Sequence, residues 1–425
     1  MPNPTPVLGN EVTFSSDIFA KRPQVLPLPN NHFVLAWEDG TNIFARLLDA
    51  NGSFVGGNFL SVLSANDPKQ LSGPRLFHQT NGHVVVTYRE QFGPNDIDVL
   101  WHLVDTNFTP TGGAAPIENS ALNEFLRDST SRTDGGGAIV FEVPQVFGTP
   151  APTYTVLRFI DQLGNQTSNQ IFVGPHSGEA QQNATVAGLH NGNVAVAYEN
   201  VNLTTDIRVH IYRPDGTDGG AGELHLTSGA PTNPAFPAVA VLKDGSFVVA
   251  WQQLQGVAFS HVSQEGVIDP NKPENHVPQS SGAFLPKITA LNDGGFLLAW
   301  TATSGVEQDG SPNLDLFLQR YRFKSNVLHP VGAQVHFTKP GDQGLFDLSI
   351  ATLPDGRVIL AYASETGDAT NITTLNYRFV FIPPIPWEPW ADEPQPPVVA
   401  RQRAQVDTVG PNDIEAIGGR PPAAK

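Results

Sequence analysis

The chain has 425 residues, 40% of them apolar and only 15% charged, with 40 Gly and 37 Pro. This is a turn-rich globular composition, not a disordered one. A net charge of −17, with no Lys/Arg cluster along the chain, argues against nucleic acid and against anionic membrane surfaces. The absence of cysteine excludes disulfides, thiolate metal sites and cysteine nucleophiles.

Residues 1–9 read as a leader. Met1-Pro-Asn-Pro-Thr-Pro has no basic n-region and no apolar h-region, so no Sec signal peptide is expected. Met1 is the one methionine, so the chain resists oxidation, which suits an extracellular or cell-surface setting. No apolar run of about 18 residues is present to span a bilayer as a helix.

Glu11-Val-Thr-Phe-Ser15 is the first predicted strand, and no hairpin partner stands beside it in the sequence. After it, one unit repeats seven times, anchored on Trp37, Tyr88, Phe141, Tyr198, Trp251, Trp300 and Tyr362. The anchors are 51, 53, 57, 53, 49 and 62 residues apart. Lys243-Asp-Gly-Ser-Phe-Val-Val-Ala-Trp251 is representative: a tight turn, then an apolar strand ending in an aromatic. Seven and six residues before each anchor stands Asn/Asp followed by Gly, or Asn30-Asn31 in the first copy. This pair predicts a type I′ hairpin turn with two positive-φ residues. Fourteen residues before the anchor stands Pro23, Pro74, Pro237 or Pro286, at the opening of strand A where no ladder donor is needed. Strand B, as in Phe247–Trp251, is continuously apolar, the pattern of a strand buried on both faces.

A third strand, C, follows in each copy. One of its positions reads as basic throughout: Arg46, His102, Arg158, His210, His261, Arg320 and Arg378. A residue type present in every copy serves the scaffold, here by packing on a neighbouring aromatic. A polar turn then leads to strand D, as in Gly222-Glu-Leu-His-Leu-Thr227. Seven four-stranded units predict an all-β fold, a seven-bladed β-propeller of antiparallel blades. The blades are expected at about 22–66, 74–120, 127–175, 184–229, 237–281, 286–340 and 347–381 plus 10–16, together spanning 10–382. The last copy lacks strand D, and Glu11–Ser15 matches Glu223–Thr227, so the N-terminal strand is expected to close the ring and remove its edges. Residues 383–425 are rich in Pro and read as an extended tail, with Trp387 and Trp390 as anchors for docking on a partner.

Length variation falls mostly between anchor and basic residue, at 9, 14, 17, 12, 10, 20 and 16 residues. The B–C loops therefore form the expected binding face. Their acids, Asp39, Asp96, Asp98, Asp206, Asp309, Asp315 and Asp368, are the candidate ligand-binding residues, alongside Glu307. Asp309, Asn313 and Asp315 are the candidate calcium ligands, since clustered carboxylate and carbonyl oxygens suit that ion. Glu38, Glu142 and Glu199 each follow an anchor and are weighed as cleft-facing acids. Asn165-Gln-Thr167 and Asn371-Ile-Thr373 fit glycosylation acceptors. No nucleophile elbow, zinc-protease, P-loop or dinucleotide motif occurs.

The repeat, Pro-x(8)-Gly-x-Phe-Val-Val-Ala-Trp with a following Gln-Arg-Tyr/Phe, resembles the propeller repeats of bacterial secreted and cell-surface proteins that accompany calcium-binding RTX segments. Pro237–Trp251 and Pro286–Arg320 carry the resemblance best, and it covers roughly residues 10–382. The Gly-Gly-x-Gly-x-Asp nonapeptides of many such proteins are absent. The patterns of WD40, kelch and sialidase propellers are absent too. The expected function is a non-catalytic structural or binding module, of surface-layer, appendage or adhesin type, presenting its loops to a glycan or protein and assembling through its tail. A phage fibre or decoration protein fits the same facts. A carbohydrate-active hydrolase or lyase is the enzymatic alternative.

Overall fold

The computed structural model describes residues 5–384 except 16–19, 57–59, 64–69, 106–108, 112–113, 121, 145–152, 175–178, 202–203, 228–231, 270–273, 279, 307–311, 325–326, 340–341 and 367–372. Its strands form seven four-stranded antiparallel sheets. Blade 1 holds β2 (Lys21–Pro27), β3 (Phe33–Glu38), β4 (Ile43–Leu48) and β5 (Leu60–Leu63). Blade 2 holds β6 (Leu71–His78), β7 (Val84–Gly93), β8 (Asp96–Val104) and β9 (Ala115–Glu118). Blade 3 holds β10 (Phe125–Ser131), β11 (Gly137–Pro144), β12 (Thr153–Ile160) and β13 (Ile171–Phe172). Blade 4 holds β14 (Ala180–Gly188), β15 (Val194–Val201), β16 (Thr205–Tyr212) and β17 (Asp218–His225). Blade 5 holds β18 (Ala235–Val241), β19 (Phe247–Gln253), β20 (Gly256–Val262) and β21 (Asn275–His276). Blade 6 holds β22 (Ala283–Ala290), β23 (Phe296–Val306), β24 (Pro312–Lys324) and β25 (Val327–Phe337). Blade 7 holds β26 (Asp342–Thr352), β27 (Val358–Thr366) and β28 (Thr373–Phe381), and β1 (Val7–Ser15) pairs with β28 as its fourth strand. The seven-bladed propeller and its N-terminal closure are thus as the repeat predicts. No helix of the described residues is long and apolar enough to cross a membrane.

All seven anchors are 2% exposed or less. Among the described residues the core divides into seven apolar clusters, each drawing on two adjacent blades. The anchors therefore hold blade to blade rather than sheet to sheet within a blade. Trp37, for example, stacks on Phe44 of its own blade and meets Phe14 of the closing strand edge-on at 5.2 Å. The closing strand also repeats a polar contact of blade 4. Tyr362 donates its hydroxyl to Glu11, as Tyr198 donates to Glu223.

Two local expectations are corrected. The A–B turns are not type I′ in six copies: only the glycine, at φ 85–90° in Gly82, Gly135, Gly192, Gly245, Gly294 and Gly356, has positive φ. Its amide bonds back three residues, as Gly245 N does to Leu242 O at 3.0 Å. This is a type I turn closed by a glycine bulge. The preceding Asn/Asp is present because its side chain accepts the amide two residues on, as Asp244 Oδ1 does from Ser246 N at 3.0 Å. Only the first turn has two successive positive φ values, at Asn30 (63°) and Asn31 (61°).

The basic position of strand C recurs in five blades, not seven. Arg46, His102, Arg158, His210 and Arg378 each pair with the residue two before the anchor. In blades 5 and 6 the equivalent residues are Ser260 and Gln319, while His261 and Arg320 stand one place further along. A one-residue slip moves a side chain to the opposite face of the sheet. The packing role holds for Arg46 over Phe54 (3.7 Å) and Arg378 over Phe337 (4.3 Å).

Candidate active site at the channel mouth

Strand A of each blade lines the axial channel. Every one of these strands carries a bulge at the same level, with register breaks at Lys21/Gln24, Ser72/Arg75, Leu126/Asp128, Gln182/Thr185, Ala235/Ala238, Phe284/Lys287 and Phe346/Ser349. In six blades the bulge holds a residue at positive φ: Arg22 (53°), Gly73 (63°), Asn183 (52°), Phe236 (53°), Leu285 (46°) and Asp347 (52°). Each of the five non-glycine residues stores roughly 1–2 kcal/mol of backbone strain. Four of these bulges contain the repeat's proline, which therefore marks the bulge rather than the strand's first residue. A bulge re-aims the side chains that follow it. Here it turns Gln24, Arg75, Thr185, Lys287 and Ser349 onto a cavity of about 350 Å³ in the channel.

The amide freed by each bulge needs an acceptor. The residue just after the anchor of the preceding blade supplies it in four joints. Glu38 accepts from Gly73 N, Glu199 from Phe236 N, and Gln252 Oε1 from Leu285 N at 2.9 Å. Glu142 accepts from Asn183 N. The post-anchor acids are therefore inter-blade acceptors, fully or almost fully buried at the channel mouth. Arg22 Nη1 pairs with Glu38 (2.8 Å) and Arg127 Nη2 with Glu142 (2.6 Å). Burial pushes the Glu142 carboxyl up, and the Arg127 guanidinium pulls it back. Glu199 is held by Gln182 Nε2 and Asn183 Nδ2, both at 2.8 Å.

Arg75, Arg127 and Lys287 remain on the cavity wall, from blades 2, 3 and 6. Arg75 donates Nε to Arg127 O (2.8 Å) and Nη1 to Pro74 O (2.9 Å), so neutral carbonyls, not carboxylates, take those bonds. Asp128 Oδ1 lies 4.0 Å from it. Burial, and next the charge of Arg75, hold the Lys287 ammonium below the ordinary lysine range. Burial also brings Arg89, behind the mouth, down to about 10, with Arg22 adding to the effect. A desolvated amine beside the Arg75 guanidinium, whose carboxylate neighbour Asp128 stands 4.0 Å away, is an environment that supports proton transfer next to an anion.

The loop acids read from the sequence do not meet in one place. Asp39 shapes its own turn, with Oδ1 accepting from Thr41 N (2.8 Å) and Asn42 N (2.6 Å). Asp206 is buried and bonded to Arg208 Nε (2.8 Å) and His225 Nδ1 (3.2 Å). Asp315 is buried against His336 Nε2 (2.6 Å) and Thr338 Oγ1 (2.8 Å). The two contacts are equivalent, a strand C aspartate meeting a strand D histidine of its own blade, which makes them part of the blade. Asp96 opens β8 half-buried, and Asp98 is buried beside Glu124. Asn313 lies on β24 opposite Gly305. Glu307, Asp309, Asp368, Trp387 and Trp390 lie outside the described residues, as does the tail from residue 385. Among the described residues no three His, Cys, Asp or Glu side chains form a metal-ligand set. Sequence reasoning passed over Arg75 and Lys287, which follow the bulge at different residue types, and Arg127, which lies within it. The sequence signal for Arg75 and Lys287 is the strand A proline just before each, Pro74 and Pro286; blade 3 has no such proline.

No protein-family model and no curated protein matches the sequence. Solved structures do match in fold. A fungal alcohol oxidase of the AA5 family, solved with copper, is 10% identical at a TM-score of 0.56, covering 89% of this chain and 76% of that one. A PL25 ulvan lyase bound to -[GlcA(1-4)Rha3S]- is 9% identical at a TM-score of 0.50, covering 86% and 95%. The NanB sialidase of Streptococcus pneumoniae is 11% identical at a TM-score of 0.48, covering 90% and 71%. At these identities the likeness is one of fold, and it supports the propeller without the RTX-associated family. It also corrects the expectation of a non-catalytic surface or appendage module. The AA5 oxidase and the PL25 lyase are both enzymes, and the carbohydrate-active alternative is the reading that accords with the lyase.

Proposed function

We propose that the chain is a carbohydrate-active enzyme that cleaves a glycan at the channel mouth, outside the cell. The observation that carries this reading is the cavity of about 350 Å³ on which Lys287, Arg75 and Arg127 converge from three blades. A concave site with a perturbed titratable group and fixed donors is where catalysis is expected. The site opens on the face of the B–C loops, whose varied lengths suit a polymer lying across it. The polysaccharide-cleaving propeller among its fold neighbours supports the substrate class.

The test is incubation of the purified chain with a polysaccharide panel, reading chain shortening. At least one polymer is expected to be cut. A Gln24→Trp variant, which plugs the channel wall, is expected to abolish the cutting. Failure to cut any polymer, or full activity in the plugged variant, rejects this reading.

A further inference from the structure

We propose that the channel mouth takes the carboxylate of a uronic-acid residue on Arg75 and Arg127, with Lys287 as the base of a β-elimination; this rests on the reading of the chain as a glycan-cleaving enzyme.

The chain has 24 basic residues against 41 acidic ones, yet the cavity wall is cationic. The acids around it already hold donors, although Glu142 Oε1 has no hydrogen-bond partner among the described residues. Glu38 and Glu142 are bonded as described above. Asp128 Oδ2 accepts from Thr185 Oγ1 (2.7 Å) and Val186 N (3.1 Å), and Asp347 Oδ2 accepts from Arg22 N (3.0 Å). The cations are not all satisfied. With Arg75 Nε and Nη1 on carbonyls and Arg127 Nη2 on Glu142, Arg75 Nη2 and Arg127 Nη1 have no acceptor among the described residues. Lys287 has no side-chain hydrogen-bond partner among the described residues either. These donors suit an anion, and paired guanidinium N–H groups suit the flat, two-oxygen geometry of a carboxylate.

The lysine selects among anions. A sulfate or phosphate ester presents no acidic C–H for an amine to remove. A uronate does, at C5, once its carboxylate charge is neutralised. The two arginines provide that neutralisation, which also keeps the bound carboxylate from raising the proton affinity of Lys287. The neutral amine takes the C5 proton. The electron pair released forms the C4=C5 double bond, and the C4–O bond breaks. The leaving oxygen takes the proton back from the Lys287 ammonium. No oxidant, metal or water is consumed. The products are an unsaturated uronate at one new end and a reducing end at the other.

The experiment uses polygalacturonate, alginate, a sulfated neutral glycan and a neutral β-glucan, reading unsaturated product and reducing ends separately. A polyuronate is expected to yield both in equal number. Its kcat/KM should rise with pH along a limb lying below the ordinary lysine range. Lys287→Met is expected to lose roughly 100-fold or more in kcat while still binding the polymer. Lys287→Arg, which keeps the charge and cannot serve as the base, should lose as much. Arg75→Met is expected to raise KM on polyuronate about 10-fold or more, the weight of a lost charge-assisted bond. Reducing ends without unsaturated product, or cleavage of only the neutral or sulfated polymer, overturns the uronate assignment and leaves the enzymatic reading standing. Full activity in Lys287→Arg overturns the role of the lysine. No cleavage of any polymer removes both.

Discussion

Asp98 and Glu124 illustrate how much a single pair of side chains depends on its joint. Asp98 is 4% exposed and Glu124 wholly buried. A parallel bridge between Ile97 and Asn123 sets them side by side across blades 2 and 3. Ser120 donates to Glu124 Oε1, while Asp98 Oδ1 and Glu124 Oε2 have no donor. Two buried carboxyls in contact share a proton. Burial pushes Asp98 up to about 6 and Glu124 up to about 8, and Asp96, Glu90 and Glu118 add to the effect. Both values lie above those of the unfolded chain, so the pair's stabilisation is full below about pH 4 and is lost as the pH rises through about 6 and then about 8. Glu124→Gln keeps a donor to Asp98 and cannot ionise. Its unfolding midpoint is expected to fall less than the wild type's between pH 5 and pH 9. At pH 9 it should be the more stable protein, by about 1 kcal/mol or more. Denaturant unfolding at a series of pH values checks this, and parallel curves for the two proteins would refute it. The sequence singled out Asp98 as a loop acid, but only the joint supplies Glu124.

The hairpin and the bulge are the elements that repeat, and each has a definite weak point. A Cβ at Gly294 meets nothing within 4 Å, but its φ is +85°. Gly294→Ala therefore costs backbone strain alone, about 1–2 kcal/mol. Gly294→Asn should cost less, since asparagine tolerates this region, as Asn31 does natively at φ 61°. Thermal melts of the two variants order them, and equal losses would show that the turn does not resist positive φ as described. The apolar half of the hairpin is more demanding. Trp251 is fully buried in the joint of blades 4 and 5, and Trp251→Ala is expected to cost about 3–5 kcal/mol. Both halves were legible, because turn chemistry and strand burial are local. The geometry of the turn was less so. Asn and Asp favour positive φ and also accept a nearby amide, and composition does not say which property is in use. The slip in strand C at His261 and Arg320 has a similar cause: loops of varying length leave the register to be set by pairing.

For the whole ring, β1 is the element on which closure depends. It covers the edge of β28 through pairs such as Glu11 with Arg378 and Val12 with Tyr377. Removing residues 1–15 should leave that edge unpaired, lowering the melting temperature and driving association through the open strand. A synthetic peptide of residues 5–15 added in trans is expected to restore the monomer, as strand addition does. Size-exclusion chromatography reads both, and an unchanged monomer without the peptide would contradict the closure argument. The amino-acid sequence by itself determined the repeat, the number of blades and the closing strand. Those follow from spacing, burial pattern and turn residues, which act over a few positions of the chain. Only the tertiary structure decided where the chemistry lies. Arg75, Arg127 and Lys287 are 52 and 160 residues apart, and ring closure alone brings them to one cavity. Asp39, Asp206 and Asp315, which looked available in the loops, are instead bonded within their own blades. The acids after the anchors are taken up by the bulge amides of the next blade.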